Sequence, residues 1–352
     1  MNFTQPDLPD VPQPDESPAK DATRHSPPDH ASTFTYIFCD RDGLRAIWGI
    51  ALFLIIREVL RYLVYPLFHA LFTSAPNGGG PITPHTLFVS EGAGLLCVVA
   101  ATWLMSKIER RPASAYGFSA HRRGRNFLAG AAWGAIFLSL LVVILRKTGL
   151  LVFDGRALFG SSVFRYGLIW LAAFLLVALV EEVFLRGYLQ FTLTRALSQV
   201  FSWLFGPSHA DGLGFWTAAV ILSFVFGIGH SSNPGESPLG LLAAALVGLV
   251  FCLSLWRTGS IWWAIGFHAS WDWAQSFLYG VADSGLMVQG HLFATHPLGR
   301  PLLSGGLTGP EGSVFMLPIL LAIVAIILMT LPRTRVGYMP EHTAAVAALD
   351  LP

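Results

Sequence analysis

The chain contains eight apolar stretches, each close to the length that crosses a lipid bilayer. A membrane-spanning helix needs about 20 mostly apolar residues. In lipid, only helices and closed barrels satisfy their own backbone hydrogen bonds, and continuous apolar runs of this length favour helices. The sequence therefore predicts an all-α, polytopic membrane helix bundle with about eight transmembrane helices. The stretches lie near residues 46–72, 86–106, 126–145, 163–190, 214–232, 239–256, 260–280 and 313–331.

The first stretch is the least regular of the eight because Arg57, Glu58 and Arg61 interrupt it. Glu58 and Arg61 have the i,i+3 spacing at which opposite charges pair along a helix. Three interpretations remain open: the charges pair, they face the interior of the bundle, or this segment lies partly in the membrane interface.

The composition agrees with a membrane protein and excludes several other classes. The chain is 53% hydrophobic and only 12% charged, whereas soluble domains are about 25% charged. A net charge of +1 indicates no nucleic-acid partner. Cys39, Cys97 and Cys252 lie far apart, and this spacing fits neither a disulfide framework nor a zinc ribbon.

Three segments are expected along the chain. Residues 1–43 are polar and rich in Pro and Asp, and we expect a disordered N-terminal tail there. Residues 44–335 form one transmembrane domain, and residues 336–352 form a short C-terminal tail.

Positively charged loops indicate how such a chain is oriented, since short cytoplasmic loops carry the excess of Lys and Arg. The loop after the second apolar stretch, residues 107–125, is rich in both, whereas 74–85 and 231–238 have neither and 281–312 has only Arg300. This alternation predicts a multi-pass protein of the cell membrane with both termini in the cytoplasm. A group of basic residues around the third loop opposes this orientation: Arg146, Lys147, Arg156 and Arg165.

Two adjacent carboxylates and an arginine close the fourth apolar stretch, in "LVEEVFLRGY". Charged residues inside membrane spans are costly and usually face a protein cavity. Glu182 and Arg186 are four residues apart and share a helix face. Glu181 is rotated by about 100° from Glu182, which leaves it free for chemistry. A plain charge cluster at the membrane edge is the alternative.

Two further stretches carry histidines. In the fifth, His230 follows Phe226 by one helical turn, and packing is the ordinary role of such a histidine. In the seventh, His268 and Asp272 share a face, which is typical of a proton relay, a metal site or a catalytic pair. A helix-packing hydrogen bond is the plain alternative.

The depths of these side chains permit a common site. Measured from basic or polar helix ends, Glu181, His230, His268 and Asp272 lie roughly 12 to 24 Å along their helices. The value for Glu181, roughly 21 Å, is measured from Arg195.

Such a cluster contains the parts for amide hydrolysis by water. A buried carboxylate near an imidazole can accept a proton from water, and a second imidazole can donate to the developing oxyanion. A zinc site formed by Glu181, His230 and His268 is the second choice. The chain has no HExxH helix, which favours the metal-free interpretation.

The three motifs together resemble those of a known family. "EEVFLRG", "FGIGH" and "HASWD" are similar to the EExxxR, FxxxH and Hxxx(N/D) motifs of the CPBP family, the type II CAAX prenyl protease-like or Abi-type intramembrane proteases. "SGGLTGPEGS" also resembles a stretch that precedes the last helix in many bacterial members. The similarity covers about residues 165–330.

The resemblance implies an eight-helix bundle with a water-filled cavity, acting as a glutamic-type endopeptidase without metal or other cofactor. Glu181 is then the base that activates water, with help from His230, while Glu182 and Arg186 hold the helix. His268 and the residue at 272 form the oxyanion hole. The best understood form of the motif has Asn there, and Asp272 donates a hydrogen bond only when protonated.

The implied partners are a membrane-embedded or lipidated protein substrate and the lipid bilayer. Two other functions remain open. A catalytically silent relative can act in bacteriocin immunity or as a membrane scaffold, and a proton-coupled transporter can use the same residues as a relay. No inverted repeat supports the transporter.

Overall fold

A computed structural model of the protein describes residues 38–40, 43–72, 82–118 and 122–332. Most of the predicted N-terminal tail and the whole of the predicted C-terminal tail lie outside these residues. A short hairpin of two strands, β1 (Cys39–Asp40) and β2 (Gly43–Leu44), precedes the first helix. The membrane bundle begins directly after it.

The described residues form an all-α bundle, and the predicted fold class is confirmed. Short 3₁₀ and π-helical turns connect or continue several of its helices. The helices are α1 (Ala46–Phe72), α2 (Pro84–Ile108), α3 (Arg123–Lys147), α4 (Ser161–Glu182), α5 (Gln190–Phe205), α6 (Pro207–Gly229), α7 (Pro238–Thr258), α8 (Trp262–Asp272), α9 (Pro301–Ser304) and α10 (Met316–Thr330).

Five helices of the described part are long and apolar enough to cross a membrane. Of the other three predicted spans, α1 is long but carries the paired charges Arg57, Glu58 and Arg61. Helix α8 is short and passes into a π-helical turn, and α10 has only 15 residues. The five spans are Pro84–Ile108, Arg123–Lys147, Ser161–Phe205, Pro207–Ser232 and Pro238–Thr258.

Local sequence signals explain several helix boundaries. Thr83 caps α2, because its hydroxyl accepts a hydrogen bond from the N–H of Thr86, and Pro84 occupies the first helical position. Ser237 caps α7 in the same way. Gly259, with a φ of 65°, ends α7 in the left-handed conformation that glycine adopts readily.

Helix α4 continues without a break through a π-helical turn (Val183–Leu189) into α5, so the predicted fourth span is much longer than expected. Arg195 does not mark its end: the guanidinium is buried and donates to the carbonyl of Leu44. Measured from Phe205, Glu181 lies roughly 36 Å along the helix axis. The depth expected from Arg195 was therefore wrong.

Helix α8 is held against α3 by close backbone contact. A Cβ atom at Gly134 would lie 2.3 Å from the carbonyl oxygen of Phe267, and one at Gly266 would lie 2.1 Å from that of Phe127. Small residues let membrane helices approach in this way. The contact fixes the position of the helix that carries His268.

Strands β3 (Leu151–Arg156) and β4 (Phe293–Pro297) pair in an antiparallel sheet that the sequence did not predict. The two strands are far apart in sequence, so no local hairpin signal exists. Their pairing brings the loop after α3 and the long 281–312 loop to one side of the bundle.

Candidate active site

The three motifs meet at a single cavity of about 530 Å³, here called the central cavity. Glu181 reaches it from the end of α4, His230 from the end of α6, and His268 and Asp272 from α8. Phe226, one turn before His230, also lines the wall. Glu182 and Arg186 lie behind this wall, where both are buried.

Glu182 connects two of the motifs. Its Oε1 accepts a hydrogen bond from Nη1 of Arg186 at 3.1 Å and lies 3.2 Å from Nδ1 of His268. The Glu182 side chain is 0% exposed. Because a buried carboxylate needs such partners, we infer that this residue holds α4 and α8 together.

The Arg186 guanidinium is sandwiched by aromatic rings as well as paired with Glu182. Its Cζ lies 4.4 Å from the centroid of Phe226 and 5.4 Å from that of Phe251. Cation–π contacts of this length stabilise a desolvated guanidinium. Phe226 of the second motif thereby supports Arg186 of the first.

Three carboxylates surround the His268 ring. Besides the contact of Nδ1 with Glu182, Nε2 lies 3.4 Å from Oδ2 of Asp272 and 3.7 Å from Oε2 of Glu181. An imidazole donates from both nitrogens only when it is protonated, and this arrangement fits that form. Charge-assisted bonds are usually about 2.7–2.9 Å, so neither Asp272 nor Glu181 holds Nε2 tightly, and its N–H can turn to a third acceptor.

Glu181 differs from its neighbour in environment. Its side chain is 31% exposed and lines the central cavity, whereas Glu182 is fully enclosed. Its Oε2 has no hydrogen-bond partner among the described residues. Glu181 is therefore the carboxylate that can hydrogen-bond to a molecule in the cavity.

The protonation of His230 is determined by one hydrogen bond. Its Nδ1 lies 2.8 Å from the carbonyl oxygen of Phe226, one turn earlier. A carbonyl only accepts, so Nδ1 carries the proton and Nε2 is the accepting nitrogen of the neutral ring. The Phe226 ring makes edge-to-face contacts with both His230 and His268, at centroid distances of 4.9 and 6.2 Å.

The sequence did not predict the π-helical turns beside the site. One, Val183–Leu189, begins directly after Glu182, and the other, Trp273–Leu278, begins directly after Asp272. Such turns are rare and often lie at functional sites. No simple sequence pattern identifies them.

Several polar residues of the cavity wall also come from outside the three motifs: Arg57, Tyr65, Glu91, Asn233, Ser276, Asp283, Ser284 and Glu311. Glu311 belongs to "SGGLTGPEGS", a stretch to which the sequence assigned no role. Asn233 lies three residues after His230, but nothing in the sequence shows which residues of the long 281–312 loop reach the site.

Burial raises the pKa of two loop carboxyls at this wall. The pKa of Asp283 is well above its ordinary range because of desolvation, and the neighbouring carboxylates of Asp272 and Glu311 act in the same direction. Desolvation also raises the pKa of Glu311, although two hydrogen bonds from Ser284 oppose the rise. Negative charge is thus concentrated on this side of the cavity.

The described residues include no group of three or more His, Cys, Asp or Glu side chains placed to hold a metal ion. Of the zinc ligands predicted as the second choice, His268 is near Glu181, but His230 is held to its own helix by the bond to Phe226.

An all-helical, multi-pass bundle with carboxylates and imidazoles around an interior cavity defines the general class of this protein. Residues 163–274, which contain all three motifs, match the family described as Rce1-like, type II CAAX prenyl endopeptidase. The resemblance seen in the motifs is confirmed by this match, which implies a CAAX-type intramembrane protease acting on prenylated or other membrane proteins. Searches of curated proteins and of solved structures found no match.

Proposed function

We propose that this protein is an intramembrane glutamic-type endopeptidase, similar to CAAX prenyl protease 2, that hydrolyses a peptide bond of a membrane-associated or lipidated protein. The observation that carries the proposal is the enclosure of His268 by three carboxylates at a cavity that Glu181 and His230 also line. The family match supports it independently.

Glu181 is the general base in the proposed reaction. Its carboxylate takes a proton from water while the water oxygen forms a bond to the carbonyl carbon of the substrate. Neutral His230, with Nε2 as acceptor, orients that water through its second hydrogen. Positioned bases of this kind contribute about 10²–10⁴-fold to rates.

His268 stabilises the oxyanion that forms as the carbonyl π electrons move to oxygen. Its loosely held Nε2–H donates to this oxygen, and a preplaced donor of this type contributes about 10²–10³-fold. Asp272 acts as an acceptor that orients His268 and favours its charged form. When the tetrahedral intermediate collapses, the C–N bond breaks and Glu181 returns its proton to the leaving amine.

The test is cleavage of a farnesylated CAAX peptide that carries a fluorophore and a quencher, by the purified full-length chain in lipid nanodiscs. Replacing Glu181 by Gln removes the base with little change of shape, and we expect a loss of at least about 10²-fold in kcat. Glu58→Gln, the same change on α1 away from the motifs, should keep wild-type activity. EDTA should not inhibit, since the proposed reaction uses no metal.

Wild-type activity in E181Q would contradict the glutamic mechanism and favour the silent scaffold or the transporter. For the natural substrate, membrane-protein fragments should be compared between cells expressing the wild type and E181Q. Fragments that disappear only in E181Q identify substrates.

The cell membrane, with both termini in the cytoplasm, is the proposed location. Contacts among described residues agree with the predicted alternation of loops. Ser260 bridges Phe118, and Arg257 donates to the carbonyl of Leu331, so the loops predicted to be cytoplasmic lie together. On the opposite side, Ile82 bridges Val288, which joins two of the loops that lack basic residues.

A further inference from the structure

Glu311 makes a two-point contact with a distant loop residue at the wall of the central cavity. Its Oε1 accepts hydrogen bonds from the backbone N–H of Ser284 at 2.5 Å and from the Ser284 hydroxyl at 2.9 Å. Ser284 has a φ of 43°, which non-glycine residues rarely adopt. The Glu311 carboxylate is therefore placed to hold an unfavourable backbone conformation.

The conformation of Ser284 determines where its carbonyl points, and that carbonyl contacts the second motif. Nδ2 of Asn233 donates to the Ser284 carbonyl at 2.8 Å. The backbone N–H of Asn233 donates to the carbonyl of His230 at 3.0 Å, which closes the 3₁₀ turn His230–Ser232. A continuous chain of hydrogen bonds thus runs from Glu311 to the turn that carries His230.

The three loop segments of this chain are also packed backbone against backbone. A Cβ atom at Gly309 would lie 2.0 Å from the carbonyl oxygen of Ala282, and one at Gly285 would lie 2.6 Å from the backbone nitrogen of Glu236. Thr308 adds a hydrogen bond from its hydroxyl to the carbonyl of Gly235 at 3.1 Å. A movement of one segment is therefore passed to the others.

We propose that Glu311 is a positioning residue of the active site, which through Ser284 and Asn233 fixes the His230 turn at the wall of the central cavity. Glu311 lies outside residues 163–274, the segment that matches the protease family. Its effect on rate rests on the proposed function, whereas its effect on the conformation of the turn does not.

The kinetic test uses the same farnesylated peptide. E311A leaves the N–H and hydroxyl of Ser284 without their acceptor, and we expect kcat to fall about 10- to 100-fold with KM changed less than about twofold, since misplacing a catalytic group by about 1 Å can cost about 10²-fold. E311Q keeps a carbonyl acceptor and should retain at least about one third of kcat. S284G should also stay active, because glycine adopts a positive φ freely.

Two controls separate positioning from general folding. D154A removes a carboxylate from the exposed sheet on the same side of the bundle, and its kcat should equal that of the wild type. N233A should lower kcat as E311A does, and the double variant N233A/E311A should be no worse than either single variant, because both act on one connection.

A second readout needs no catalysis. In the H230C variant, with the native cysteines replaced by serine, the labelling rate of the thiol with a small maleimide reports the exposure of this turn. Adding E311A should change that rate several-fold, and adding E311Q should not. This result, obtained with a wild type that does not cleave the peptide, would reject the protease function while keeping the positioning role.

Unchanged labelling and a kcat within about threefold of the wild type in E311A would overturn the proposal. It would also be overturned if E311Q were as inactive as E311A and both lost activity only in proportion to their folded fraction, measured by thermal unfolding. Glu311 would then be a structural residue.

Discussion

At the scale of residues, environment assigns different tasks to identical side chains. Glu181 and Glu182 are adjacent, yet one lines the cavity and the other is fully buried between Arg186 and His268. The rotation of about 100° per residue in a helix accounts for this division. The ion pair and the free carboxylate can be inferred from sequence spacing, whereas the contact of Glu182 with His268 joins two helices and has no local signal.

Asp272 offers a prediction at this scale. Replacement by Ala removes the acceptor 3.4 Å from Nε2 of His268, and we expect kcat to fall at least about 10²-fold because the ring loses its orientation. Replacement by Asn keeps an acceptor of the same shape, and kcat should stay within about tenfold of the wild type. Both values come from peptide cleavage in nanodiscs.

The matched control is Asp154→Asn on the exposed sheet, which should not change the rate. If D272A proved as active as the wild type, Asp272 would have no part in orienting His268. If D272N were as inactive as D272A, the negative charge itself would be required rather than the acceptor atom.

At the scale of elements, the motif helices are not regular. Both α4 and α8 change into π-helical turns directly after their motif carboxylates, Glu182 and Asp272. An extra residue in a turn rotates the downstream side chains by about 100° relative to a regular helix. Arg186 and Tyr188 are therefore oriented by the turn as well as by their sequence spacing.

The close contact between α3 and α8 leads to a second prediction. A Cβ atom at Gly134 would lie 2.3 Å from the hydroxyl of Ser270 as well as from the carbonyl of Phe267. Gly134→Ala should therefore push α8 outward and destabilise the protein by about 1–3 kcal/mol, which is the usual cost of overpacking. Thermal unfolding in detergent measures the effect.

Gly124, on the same helix, provides the control, because a Cβ atom there would meet nothing within 4 Å. G124A should unfold at the same temperature as the wild type or slightly higher, since alanine favours helices over glycine. Equal melting temperatures for G134A and the wild type would show that α8 can move without cost.

At the scale of the whole molecule, the two faces of the bundle differ. Under the proposed orientation, the sheet of β3 and β4 and the 281–312 loop lie on the outer face, opposite the basic 107–125 loop. His230 follows the end of α6 on that same side, where Asn233 contacts Ser284. The central cavity is then nearer to the outer face than to the cytoplasm, not below the cytoplasmic surface as the sequence suggested.

Single cysteines test this orientation in a chain whose native cysteines are replaced by serine. Asp154 and Arg110 are exposed on opposite sides of the bundle. In intact cells, D154C should react with a membrane-impermeant maleimide, and R110C should react only after the membrane is permeabilised. The reverse pattern would place both termini outside and the cavity near the cytoplasm.

The sequence by itself determined the helical class and the identity of the motif residues, because apolar length and charges inside apolar runs are local properties of a chain in lipid. It also separated Glu181 from Glu182, since helical spacing alone distinguishes their faces. Only the tertiary structure decided that three carboxylates surround His268, that Glu311 reaches Ser284, and that β3 pairs with β4. These contacts join residues distant in the chain, and their geometry depends on how helices and loops pack, which no local pattern encodes.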